Sequence, residues 1–367
     1  MITGGAGFVG SHTSDALLEQ GHAVRILDNL SEQVHQGEIP AYLPKKAEFI
    51  FGDVRDLRIL SEAVRGVDVI YHFAAAVGVG QSMYKIAYYT AANNQGTANL
   101  LQAILDSGSR PEKIIVASSM SIYGEGKYLC AECGDVVPPL RPQQQLHVKK
   151  WETLCPHCGE VVTPIPTNED KPLQCSSVYA LSKKDQEEML LLFGRTYGIP
   201  VVALRYFNIY GTRQSLSNPY TGVAAIFASR LLNARAPVIF EDGMQMRDFV
   251  SVHDIVQANL LAMEKSAADG MALNVGSGEP VTIRHVAAEL EAALGVSIPL
   301  DMTGFYRAGD IRHCFGDITK ISKLLGYRPQ VNLKRGMQEF VGWLKVQGAK
   351  DHSHKALEHL QMHGLVA

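Results

Sequence analysis

The chain has 367 residues, of which 46% are hydrophobic and 19% charged, with a formal net charge of −3. That length carries one large α/β domain with a smaller one beside it, and the balance excludes a disordered chain or a basic, nucleic-acid-coating one. No apolar run reaches bilayer length, and no basic segment followed by an apolar stretch opens the chain, which predicts a cytoplasmic protein with neither membrane nor nucleic-acid partners. Any anion must then be recognised locally, by a few placed arginines.

Only Met1 and Ile2 precede Thr3-Gly4-Gly5, although a strand feeding a glycine-rich turn usually has about four to six residues. Either the chain begins late or a few residues precede it. Gly4, Gly7 and Gly10 then lead into a predicted helix over Ser11–Glu19. Gly4 suits a tight turn, Gly7 lets a pyrophosphate approach the helix N-terminus, and Gly10 lets helix and strand pack closely. Ala23–Leu27 reads as a strand ending at Asp28, a carboxylate placed for a ribose diol and repelling a 2′-phosphate. That favours NAD over NADP. Asp53, after the run Glu48–Phe51, is placed to meet the adenine.

Further strands are predicted at Val67–Phe73, Lys113–Ala117 and Pro200–Leu204. Helices are predicted at Leu57–Val64, Asn93–Asp106 and Ser182–Thr196. Strands alternating with helices imply parallel βαβ units. The fold class is therefore α/β: a doubly wound, parallel-sheet Rossmann domain over residues 1–210. A smaller mixed α/β domain follows over 211–345, with some segments returning to the first. Its helices are predicted at Ala224–Leu232, Asp254–Glu264, His285–Leu294 and Ile318–Leu325. Residues 346–367 form a tail rich in histidine, read as an amphipathic surface helix.

Residues 126–166 interrupt this pattern and hold no predicted long helix or strand. Cys130-x-x-Cys133-Gly134 and Cys155-x-x-Cys158-Gly159 lie 21 residues apart. Four thiolates at this spacing suit tetrahedral zinc, and the glycines permit the knuckle turns. The segment reads as a zinc-ribbon-like insertion with a structural metal. Redox-active or inert thiols are the alternative.

Tyr179 and Lys183 share one helical face at i and i+4. A free tyrosine has a pKa near 10, and a nearby ammonium favours the phenolate, so the pair suits a general base for a hydroxyl. Ser118 to Gly124 follow the Lys113–Ala117 strand at the sheet's carboxyl edge, and Ser119 is the hydroxyl partner predicted there.

In order along the chain stand TGGAGFVGSH, Asp28, GDVRD (52–56), HFAA (72–75), NNQGT (93–97), SSMSIYG (118–124), YALSK (179–183), RYFNIYG (205–211), RDFVSVHD (247–254) and RAGD (307–310). Together they resemble the extended short-chain dehydrogenases that modify nucleotide sugars, over nearly the whole chain except the cysteine insert and the tail. The resemblance implies Tyr179 as base, Lys183 as its partner and cofactor anchor, and Ser119 as hydroxyl partner. It assigns Phe8, Val9, Asn29, Val54, Phe73, Ala74, Ala75, Asn93 and Tyr206 to the cofactor. Val79, Gln81, Ser82, Ser121 and Asn208 fall to the sugar, and Arg247 and Arg307 to the substrate diphosphate, where a guanidinium fork matches phosphate oxygens.

Members that dehydrate the sugar carry Asp-Glu after the catalytic Ser or Thr. Here Met120-Ser121 stand there, and neither supplies the required acid or base. A 4-epimerase is implied instead. Val77 stands where galactose 4-epimerases often carry lysine, and with the insert this points to the dTDP-L-rhamnose 4-epimerase branch. UDP-glucose or UDP-glucuronate 4-epimerase, then a sugar-nucleotide 4,6-dehydratase or reductase, and last a non-catalytic nucleic-acid binder remain alternatives. Helices at about 93–106 and 182–196 resemble those through which members form homodimers.

Overall fold

The computed structural model describes residues 1–216, 218, 220–347, 351 and 353–366. Residues 348–350, 352 and 367 of the histidine-bearing tail lie outside these. Seven strands form one parallel sheet in the order Met271–Val275, Val201–Tyr206, Lys113–Ser119, Val69–His72, Ile2–Thr3, Arg25–Asp28 and Glu48–Phe51. The opening strand is only two residues long, yet it pairs on both sides, with Ile2 between Ile26 and Tyr71. Chain order reverses at this strand, which opens a cleft beyond the carboxyl ends.

Alternation along the strands sends side chains into two cores. Ile115, Val202 and Leu204 face the helices Phe8–Glu19, Val252–Glu264 and Thr319–Leu325. Ile114, Val116, Val201 and Ala203 face Leu57–Ala63, Gly96–Ser107 and Val178–Tyr197. Burial on both faces explains why these strands read as unbroken apolar runs.

The smaller lobe pairs Asn208–Tyr210, Met246–Ser251, Pro280–Thr282 and His313–Cys314. Helices Val223–Leu232, Ile283–Leu294 and Leu333–Leu344 pack on it around Phe249, Leu290 and Phe340. The strand Met271–Val275 leaves this lobe to complete the large sheet.

Three places differ from the sequence reading. The helix predicted from Asn93 begins as a π-turn, Thr90–Gln95, before Gly96–Ser107. The insertion is not without strands: Lys127–Cys130 pairs antiparallel with Gly134–Val136 and with Thr163–Ile165, and Gln143–His147 is a short helix. These pieces are three to five residues long, too short for a periodic signal. The tail's helix, Ser353–Met362, lies over the cleft between the lobes rather than on a plain surface. No helix among the described residues is long and apolar enough to cross a membrane.

Candidate active site

A cavity of about 940 Å³ lies at the switch point of the sheet. Its floor is the glycine turn. Gly4 has φ +70°, and a Cβ there would meet the Ala74 nitrogen at 2.8 Å; a Cβ on Gly10 would meet the Gly4 carbonyl at 2.4 Å. Gly7 precedes the helix Phe8–Glu19 without a side-chain cap, leaving first-turn N–H groups for an anion. Asp28 closes its strand at the cavity, one carboxylate oxygen accepting from Ala6 N at 3.1 Å and the other from Leu30 N at 2.9 Å. Each oxygen retains a lone pair for a ribose hydroxyl. This donor set fits a pyrophosphate with an unphosphorylated ribose.

Phe8, Val9, Asn29, Val54, Phe73, Ala74, Ala75 and Tyr206 line the same cavity. Asp53 does too, but both its oxygens are filled: Arg55 donates to it through N, Nε and Nη2, and Asn29 through Nδ2. Burial raises its pKa, but these donors outweigh that and hold the carboxyl down at about 2. An adenine amino group would have to displace one of these donors.

Ser119 ends the strand Lys113–Ser119 at the cavity, and Ser121 Oγ donates to Ser119 Oγ at 2.8 Å. Tyr179 opens the helix Val178–Tyr197, whose N-cap Ser177 accepts from Ala180 N at 3.1 Å. Burial pushes the Tyr179 phenol up, and its hydrogen bond with Ser119 pulls it back. Lys183 also faces the cavity, with its ammonium donating to Gln186 Oε1 at 2.7 Å. Burial lowers its pKa to about 7 against the upward pull of the Glu187 carboxylate. Gln186 in turn donates to Thr97 Oγ1 at 2.8 Å, which lies 2.9 Å from His72 Nε2. Lys183 therefore rests on a buried polar chain that the Tyr-x-x-x-Lys spacing did not disclose.

Three residues assigned to ligands do not line the cavity. Asn93, assigned to the cofactor, is fully buried; its Oδ1 accepts from Ala76 N and its Nδ2 donates to Ala76 O and Ser182 Oγ. From the π-turn Thr90–Gln95 it holds the backbone at Ala76, which lines the cavity, from behind. Gln81, assigned to the sugar, exchanges hydrogen bonds with Gln33 and accepts from Tyr89. Ser82 accepts from Tyr179 N at 3.0 Å and donates to Val79 O. It anchors the start of the helix Val178–Tyr197. Spacing cannot separate a residue that touches a ligand from one that holds its neighbour.

Val79, Ser121, Asn208, Arg247 and Arg307 also line the cavity. Asn208 Oδ1 is buried without a protein hydrogen-bond partner. Arg247 is less free than predicted: Nη1 donates to the carbonyls of Met246 and Arg312, and Nη2 to that of Ile311. Arg307 pairs with Asp310 at 2.7 Å and lies over the Phe240 ring at 4.8 Å. Arg213 lines the cavity with a buried, unpartnered Nη1 and φ +64° while pairing with Asp15. Sequence reasoning missed it, although it follows the RYFNIYG run by only two positions.

In the insertion the sulfur atoms of Cys130, Cys133, Cys155 and Cys158 lie within 4.8 Å of one another. Cys130 and Cys155 are buried, and Gly134 and Gly159 turn the chain after each pair at φ +75° and +81°. His157 N points at Cys155 Sγ at 3.4 Å.

A parallel sheet with an uncapped glycine turn at its switch point, a ribose-ready carboxylate and a Ser–Tyr–Lys set on one cleft defines a dinucleotide-dependent dehydrogenase scaffold. Residues 1–150 match the model of the NAD dependent epimerase/dehydratase family, and residues 159–340 that of GDP-mannose 4,6 dehydratase. The dTDP-L-rhamnose 4-epimerase of Burkholderia thailandensis is 32% identical, over 94% of each chain. UDP-glucose 4-epimerase of Thermotoga maritima, solved with UDP-glucose, is 31% identical with TM-score 0.74, over 94% of this chain and 97% of that one. UDP-glucuronic acid 4-epimerase of Bacillus cereus, solved with UDP-glucuronic acid and NAD, is 27% identical with TM-score 0.75, over 94% and 98%. The chain belongs to the NAD-dependent epimerase/dehydratase family of enzymes.

Proposed function

We propose that the chain is a nucleotide-sugar 4-epimerase acting on a dTDP-6-deoxyhexose such as dTDP-L-rhamnose. The observation that carries the reaction is the contact of Ser119 with Tyr179 on the cavity wall, with Met120 and Ser121 following Ser119 where dehydrating members carry Asp-Glu. NAD, held by the glycine turn and Asp28, would supply the hydride acceptor and donor for C4. Tyr179 would accept the O4 proton, with Ser119 as its hydrogen-bonded partner, and return it after the sugar has turned. Lys183 would hold positive charge beside the phenolate when protonated. A 4,6-elimination needs a carboxylic acid and base at C5 and C6; a thioether and a hydroxyl cannot supply them.

The sugar assignment draws on the Burkholderia relative and on the apolar Val77, Val79 and Met83 along the cavity. The NAD-loaded chain should invert C4 of dTDP-L-rhamnose faster than it inverts UDP-glucose or UDP-glucuronate, followed by NMR. Formation of a 4,6-dehydrated product overturns the epimerase assignment. Tyr179→Phe should lower kcat by about 10²–10⁴-fold while leaving nucleotide-sugar binding within about twofold.

The four cysteines are assigned to structural zinc. Tetrahedral Zn–S bonds of about 2.3 Å place sulfur atoms about 3.8 Å apart, and the cluster's spread, with Cys130 and Cys158 at 3.5 Å, fits that cage. A closed four-thiolate site leaves no open coordination position, so its role is to fold the insertion.

A further inference from the structure

The C-terminal helix Ser353–Met362 lies over the cleft. Its side chains Ala356, Leu357 and Leu360, and Leu365 just beyond it, line the cavity. It is attached at both walls of the cleft. On one wall Leu360 packs over Gly80, where an added Cβ would meet Leu360 Cδ2 at 3.0 Å. Tyr84 stacks on His363 with ring centres 4.6 Å apart and planes 10° from parallel. Tyr84 also donates to the Tyr220 hydroxyl at 2.6 Å, which lies 2.9 Å from His359 Nδ1. On the other wall Ala308 N donates to Leu365 O at 2.9 Å, and Arg307 bridges to Val366.

These attachment points locate what the helix covers. The short helix under Leu360, Val79–Ser82, is the one whose Ser82 anchors Tyr179, and the far attachment adjoins Arg307. The cofactor determinants Gly4, Gly7 and Asp28 belong to other segments. The helix therefore spans the sugar end of the cleft and presents leucine side chains to it.

We infer that this helix is a wall of the nucleotide-sugar subsite that selects for a hexose lacking its 6-hydroxyl. A hydroxyl held against leucine loses its hydrogen bonds to water without replacement, whereas a methyl group there is buried favourably. One such group in an apolar pocket discriminates by about tenfold or more. The wall also hinders loss of the sugar while the nucleotide is held by other residues. The inference rests on the nucleotide-sugar reading.

The test uses two sugars that differ only at C6, dTDP-glucose and dTDP-6-deoxyglucose, with NAD-loaded enzyme. Dissociation constants are measured for the full chain, for a chain ending at Asp351, and for Leu357→Asp and Leu360→Asp. The full chain should bind the 6-deoxy sugar about tenfold more tightly, and each variant should bring the two within about twofold. NAD affinity should stay within about twofold throughout. Equal affinity of the full chain for both sugars, an unchanged preference in every variant, or a parallel loss of NAD binding overturns the proposal. A chain that inverts no sugar yet shows tail-dependent binding sinks the epimerase reading and leaves the wall standing. Inversion with tail-independent binding does the reverse.

Discussion

His72 is buried at the end of its strand, between Thr3 Oγ1 at 2.8 Å and Thr97 Oγ1 at 2.9 Å, two links from the ammonium of Lys183. Burial, with Lys183 nearby, lowers its pKa to about 3 from an ordinary 6.5. The unfolded chain therefore takes up a proton at His72 before the folded one does. The stability tied to neutral His72 is complete above pH 6.5 and is lost as pH falls towards 3. From pH 6.5 to 4.5 that loss approaches about 2–3 kcal/mol. His72→Gln, which keeps a neutral polar group there, should flatten this limb. Urea unfolding at the two pH values checks it, and an equal acid loss in wild type and variant refutes it.

At the scale of elements, the insertion is tied to the smaller lobe by a buried ionic cluster. Arg312, fully buried, reaches Glu241 at 2.9 Å and Asp242 at 2.6 Å, and also pairs with Glu152 of the insertion. Arg141 of the insertion pairs with Glu241 at 2.8 Å and donates to the carbonyl of Asp310. Asp310 is the partner of Arg307, and the carbonyls of Ile311 and Arg312 hold Arg247. Removing one partner from a buried cluster is costly; Arg312→Met should destabilise by about 3 kcal/mol, at the low end because Glu152 and Asp242 reach solvent. A shift of the urea midpoint reads this out. Metal analysis should find one zinc per chain. Cys130→Ser or chelation should loosen the insertion and raise KM for the nucleotide sugar several-fold, with NAD affinity unchanged, since the insertion bears on Arg247 and Arg307 and not on the glycine turn. Unaltered KM in metal-free enzyme would count against this.

The same element explains what the sequence could and could not disclose. Its cysteines were legible because metal chemistry demands a fixed local spacing. The ionic cluster was not, because Arg141, Glu152, Glu241 and Arg312 are far apart in the chain and look like ordinary surface charges. The strands and helices of the large domain were legible from apolar periodicity, to within a few residues. The seventh strand, Met271–Val275, went unread because it follows a different lobe's helices before returning to the sheet. Gly4, Asp28, Ser119 and Tyr179 could be found because backbone geometry or acid–base chemistry fixes their residue type. Asn93 lies in the NNQGT run and Ser82 beside Val79, a cavity-lining residue, and only packing shows that neither lines the cavity.

At the scale of the whole molecule, the helices Gly96–Ser107 and Val178–Tyr197 lie side by side on one face of the sheet, with Ile86–Tyr89 against the second. Their inner sides bury Leu100, Ile104, Leu190 and Phe193. Their outer sides leave Ile86, Leu105, Leu181, Leu192 and Tyr197 exposed, Leu192 by 57%. Scattered exposed leucines mean little, but apolar side chains gathered on adjoining helices resemble a half-buried bundle. We propose that two copies pack these helices together in an isologous homodimer, in which each apolar face covers its symmetry mate. Light scattering should then give twice the 40.1 kDa chain mass. Leu192→Glu, placed where both copies would bring the charge to one seam, should yield monomers at micromolar concentration without loss of secondary structure. Because the seam lies behind the catalytic helix, the monomer should bind NAD normally but turn over more slowly. A wild-type chain that elutes as a monomer, or a variant that remains dimeric, rules this interface out.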